Sequence, residues 1–147
     1  MARLDSMDPA AFEPSPALRT RLERAGAEFL AGYFETELRQ KPENLAAWVE
    51  LGHLYTRLGR IKEGLDVDRE LARRLPQDPT VRYNLACSLA LNGEIDMAFE
   101  ELGRALERGY RDAEHLAQDD DLAALREDSR FEELLRRLAG LGPDPDR

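Results

Sequence analysis

Apolar residues along this chain recur at helical spacing, and nowhere do they alternate as a half-buried strand would require. Trp48, Leu51, Gly52 and Tyr55 stand at i, i+3, i+4 and i+7 and share one face of a helix. Ile61, Leu65, Ala72 and Leu75 make a second stripe, Leu85, Ala86 and Leu89 a third, and Ile95, Ala98, Leu102, Ala105 and Leu106 a fourth. Punctuation falls between the stripes. Gly59, Gly93 and Gly109 can adopt the left-handed conformation that ends a helix, Pro42 and Pro76 stop the helix before them, and Asn44 and Asp78 can cap the next.

The flanks read less regularly. Ser15-Pro16 opens a helical stretch to Gln40 with Leu18, Leu22, Phe29, Leu30, Phe34 and Leu38 as its apolar set, and Gly26 is a candidate break within it. Beyond Gly109, Asp112 predicts a cap for a short helix through Leu116, and Asp121 a cap for another through Leu125. Ser129 with Glu132 forms a capping box before Phe131, Leu134, Leu135 and Leu138. The fold class that follows is all-α.

The stripes also repeat. Gly59-Arg60-Ile61 returns 34 residues later as Gly93-Glu94-Ile95, Leu51 as Leu85, and Pro42 as Pro76. A period of this length means units too small to bury their own apolar faces, which become stable by stacking into a curved solenoid with an open groove. The expected organisation is a flexible segment over 1–14 and one helical domain over 15–139, followed by a disordered tail over 140–147. Within the domain, 45–78 and 79–112 are clear repeats, while 15–44 and 113–139 are degenerate flanking units.

Charge changes this picture little. The net charge of −9 sits in the flanks: residues 15–111 are nearly neutral, at −1, whereas residues 112–147 carry −6. No basic footprint for nucleic acid is present. Cys87 is the single cysteine and the first 14 residues hold no apolar signal core, so the expectation is a cytoplasmic protein without a disulfide, a membrane span or a nucleic-acid partner.

Trp48-x-x-Leu51-Gly52-x-x-Tyr55, with its glycine turn and later Pro76, resembles the tetratricopeptide repeat, as does the unit from Tyr83-Asn84-Leu85-Ala86-Cys87 through Ala98, Leu102 and Ala105. The resemblance implies an α-solenoid of antiparallel helix pairs with small residues (Gly52, Ala86, Gly64, Ala98) where helices approach closely. Asp68 and Arg82 depart from the pattern, standing where a bulky apolar residue and a tryptophan are usual, and predict exposed or altered packing there. The first helix of each unit is implied to line a peptide-binding groove: Val49, His53 and Arg57 from one unit, Thr80, Tyr83, Asn84, Cys87 and Leu91 from the next. Tyr83 and Cys87 could equally pack against the preceding helix. Replacing Tyr83 and Asn84 together is expected to weaken partner capture without loss of fold. Relatives that clamp a chaperone carboxylate would place their clamp at Val49, His53, Asn84, Glu114 and Gln118, and of these only Asn84 agrees.

No catalytic or metal motif rises above background. Asp119-Asp120-Asp121 lacks the glycine and downstream glutamate of a calcium loop, and His53 and His115 have no ligand spacing. The expectation is a scaffold, not an enzyme, without metal or cofactor, that binds a protein or peptide partner in its groove. The alternative is a self-associating, chaperone-like homodimer joined through Phe29, Tyr33 and Phe34.

Overall fold

The structure, a computed structural model, describes residues 13–142. Among these residues seven α-helices follow one another: α1 (Pro16–Gln40), α2 (Leu45–Arg57), α3 (Ile61–Arg74), α4 (Pro79–Leu91), α5 (Ile95–Glu107), α6 (Ala113–Gln118) and α7 (Ser129–Gly140), with a 3-10 turn (Asp120–Leu125) between the last two. There is no strand among the described residues. Most of the expected 1–14 segment and of the 140–147 tail lies outside the described residues; Gly140 itself ends α7.

The start signals act as the sequence predicts for α1, α2, α4 and α6, where the side chains of Ser15, Asn44, Asp78 and Asp112 accept from first-turn backbone N–H groups. Two caps differ. Asp119, not Asp121, caps the 3-10 turn, and Asp128, not Ser129, caps α7. In both places an acidic residue just upstream already holds an extended backbone angle and takes the cap first. The turns after α2 and α4 are copies. Gly59 and Gly93 have φ of +72° and +79°, and the amides of Arg60 and Glu94 reach back to the carbonyls of Tyr55 and Leu89 at 2.8 and 2.9 Å. Gly109 repeats the motif at φ +111°, with the Tyr110 amide on the Ala105 carbonyl at 2.9 Å.

Successive helices pack as antiparallel pairs, α2 with α3 and α4 with α5, and α3 against α4 joins the pairs. The flanks complete the stack. α1 packs on α2, the 3-10 turn packs on α4, and α7 packs on α5 and α6. The molecule is an α-solenoid of two regular helix pairs between degenerate ends. Its core runs the length of the stack: Leu51, Leu54 and Tyr55, then Leu65, Val67 and Leu71, then Leu85, Leu89, Leu102 and Leu106, ending in Leu116, Leu122, Leu125, Phe131, Leu134 and Leu138.

Close approach explains Gly52. A Cβ there would stand 3.2 Å from Val67 Cγ1 and 3.5 Å from Asp68 Oδ1, so α2 and α3 meet at that point. Gly64 faces Tyr55 and Thr56 at ordinary contact distance rather than Gly52. In the second pair, Ala86 and Ala98 are fully buried.

Four further readings of the sequence change. α1 runs unbroken through Gly26. It buries Ala27, Ala31 and Leu38, while Leu22, Phe29 and Leu30 face solvent, because α2 covers one side of the helix only. Ile61 lies at an exposed edge of the first turn. Asp68 is not exposed; it is buried, and Ser88 Oγ of α4 donates to its Oδ2.

Arg82 performs the task of the tryptophan it replaces. The Trp48 indole N–H donates to the Pro42 carbonyl at 2.9 Å; 34 residues on, Arg82 Nε and Nη2 donate to the Pro76 carbonyl at 3.1 Å. Its Nη1 continues to Glu101 Oε2 at 3.0 Å. Glu101 is buried and is also held by Arg104. It stands 34 residues after Val67, so polar partners replace an apolar pair in the second unit.

Candidate functional site

The first helices of the two regular pairs, α2 and α4, present one side toward the C-terminal segment, and two adjacent depressions lie there. One, of about 390 Å³, is lined by His53, Thr56 and Arg57 from α2, Asn84 and Ser88 from α4, and Asp119 and Asp121 from the closing segment. The other, of about 550 Å³, is lined by Thr80 and Asn84, the turn from Gly109 to Asp112, and Glu114 at the start of α6. Tyr83, Asn84 and His115 belong to both. His53, Arg57, Thr80, Tyr83, Asn84 and Cys87 therefore meet in one trough. Val49 and Leu91, both half-buried, line neither depression.

Two of these residues are covered. Tyr83 is 3% exposed; its ring stacks on Tyr110 with centroids 4.4 Å apart, and its hydroxyl donates to Asp119 Oδ2 at 2.6 Å. The Cys87 Sγ lies 3.6 Å from the same oxygen. Burial first, then the hydrogen bond to Asp119, pushes the Tyr83 hydroxyl far above its usual pKa. Burial, followed by the charges of Asp119 and Asp121, likewise pushes the Cys87 thiol up. A thiol held protonated is a poor nucleophile, so the arrangement gives Cys87 no basis for covalent chemistry. The expectation that Tyr83 could be removed without loss of fold does not survive this geometry: truncating it would empty a stacked, hydrogen-bonded site in the core.

The remaining side chains are available. His53, Arg57 and Thr80 are exposed, and Asn84 is half-buried at the junction of the two depressions. Among the described residues, Asn84 and Arg57 make no side-chain hydrogen bond. An amide so placed offers two donors and one acceptor to a ligand. Around it the carboxylates of Asp112, Glu114, Asp119 and Asp121 outnumber the guanidinium groups of Arg57 and Arg111, which leaves the trough acidic.

At the base of the first depression lies the buried Asp68. Desolvation raises its carboxyl pKa to about 6, against the opposing hydrogen bond from Ser88 and the charge of His53. Among the described residues no three His, Cys, Asp or Glu side chains come together as metal ligands, and no helix is long and apolar enough to cross a membrane.

Sequence reasoning missed Tyr110, His115 and Asp119 as parts of this site. Gly109 was the available signal: it fixes the turn that swings Tyr110 onto Tyr83, after which His115 of α6 lies beside the Tyr83 ring and the 3-10 turn packs on α4.

No family model matches the chain. It is similar to the peroxisomal targeting signal receptors of Komagataella phaffii and Komagataella pastoris, each 30% identical over 147 residues, covering 93% of this chain and 24% of the receptor. The chain thus spans about a quarter of the length of these relatives.

Proposed function

We propose that the chain is a protein-binding module of tetratricopeptide type that takes an extended protein segment in the trough between α2, α4 and the closing segment. The observation that carries this reading is the uncommitted Asn84 amide at the junction of the two depressions, flanked by exposed His53, Arg57 and Thr80. An extended backbone needs such paired donor and acceptor groups, because it brings its own unpaired N–H and C=O with it. The acidic surround favours a segment with a basic side chain beside that contact. Similarity to receptors of a targeting signal supports the same class of function. Tyr83 and Cys87 serve as the floor, and Tyr83 acts through packing and not as a free contact.

The test is capture of extended peptides from an immobilised random library, comparing the wild type with a Thr80→Ala, Asn84→Ala variant. Both positions are outside the core, so helicity and melting temperature are expected to stay as they are. A loss of capture of about tenfold corresponds to 1.4 kcal/mol, the scale of one or two charge-neutral hydrogen bonds. Equal capture by the two proteins, or no capture by either, overturns the reading.

A further inference from the structure

The outer side of α1 is unlike the rest of the surface. Leu22, Phe29 and Tyr33 are 58%, 76% and 56% exposed. By helical geometry Phe29 lies on the side opposite Ala27, Ala31 and Leu38, which pack inward. Leu18, Leu22, Ala25, Phe29, Gly32 and Thr36 follow one another at alternating intervals of four and three, the spacing of a two-helix seam. Gly26 and Gly32 sit inside this helix, where glycine costs about 1 kcal/mol against alanine. A Cβ at either would meet nothing within 4 Å, so no contact among the described residues requires them to be small.

We propose that this face pairs with α1 of a second copy, antiparallel, about a two-fold axis level with Ala27. In that register Phe29 faces Ala25 of the other copy, Leu22 faces Gly32, and Leu18 faces Thr36. Every layer sets a large side chain against a small one, and the glycine becomes the space a leucine fills. Arg21 comes level with Glu35 of the other copy, but that carboxylate is already held within its own chain by Tyr55 and Arg60, so packing and not charge sets the register. Glu28 meets its own copy beside the axis, and Arg24 already holds its carboxylate at 3.1 Å. A parallel pair would instead set Phe29 against Phe29 and Gly32 against Gly32, bulk on bulk and gap on gap. α2 covers the opposite side of each α1, so the two solenoids extend away from each other.

The full chain is examined by sedimentation over a concentration series, beside Phe29→Glu and Gly32→Leu. The wild type is expected to associate into a dimer. Phe29→Glu is expected to remain monomeric with unchanged helicity, since the position is exposed. Gly32→Leu should be the more helical protein and yet dimerise about tenfold less tightly, because its leucine meets Leu22 of the other copy. Direction is read by oxidation of single-cysteine additions. Glu28→Cys cross-links near the axis, whereas the two Leu18→Cys positions lie about 27 Å apart, far beyond disulfide reach. A wild type that stays monomeric, including one whose first twelve residues cover the face themselves, overturns the proposal. So does a dimer indifferent to Phe29→Glu, or cross-linking through Leu18→Cys.

Discussion

Replacing Asp68 by asparagine gives the sharpest test of the packing described here. In the folded protein the Asp68 carboxyl keeps its proton up to about pH 6, because burial penalises the charge; in the unfolded chain it loses it near pH 4. The folded state therefore binds the extra proton between those values. Stability from this group is complete below about pH 4 and is lost as pH rises through about 6. A gap of about two pH units corresponds to about 3 kcal/mol, with the Ser88 hydrogen bond, which favours the ionised form, already included. Asparagine is neutral throughout and still accepts from Ser88. Urea unfolding from pH 4 to 8 should show the wild type losing about 2–3 kcal/mol relative to the variant, with the variant the more stable at pH 8. Other titrating groups are common to both proteins, so the difference isolates Asp68. A difference that stays constant across the range would refute the reasoning, since Asp68 would then be ionised in the folded state at every pH tested.

The two glycines of the first pair should respond in opposite directions. Gly52→Leu drives a side chain into Val67 and should lower the urea midpoint by the equivalent of about 1–3 kcal/mol, while Gly64→Ala, with room for its methyl, should raise it by up to about 1 kcal/mol. Arg82→Ala strips a buried partner from Glu101 and frees the Pro76 carbonyl, and should cost about 2–3 kcal/mol in the same measurement. Asp119→Asn keeps an acceptor for the Tyr83 hydroxyl but removes a charge beside Cys87. Alkylation of Cys87 should then quicken by a few-fold and no more, because burial, which leads the upward push on the thiol, remains.

Much of the solenoid was readable because its signals are local. Gly59 and Gly93 demand a left-handed turn wherever they occur in this pattern, and Asn44 and Asp78 cap the helices they precede. The 34-residue period then fixes which stripes face each other. What escaped depended on contacts distant in sequence. Phe29 reads as core by spacing alone, and only the absence of a neighbour on that side of α1 among the described residues places it in solvent. Asp68 reads as a flaw in an apolar stripe until Ser88, from the next repeat, supplies its partner. In the trough, His53, Arg57, Thr80 and Asn84 follow from the register of α2 and α4. The share of Tyr110, His115 and Asp119 comes from a segment outside the regular repeat, and the period holds no information about it.

An indole and a guanidinium fasten corresponding proline carbonyls in the two repeats, but they do not answer to the same solvent. The first fastening is uncharged, and dissolved ions leave it alone. The second belongs to an electrostatic chain running from Arg82 through Glu101 to Arg104, whose outer end reaches water and can be screened. Raising the ionic strength therefore slackens one joint of the stack and spares the other, giving a nearly repetitive object a weak end and a strong one.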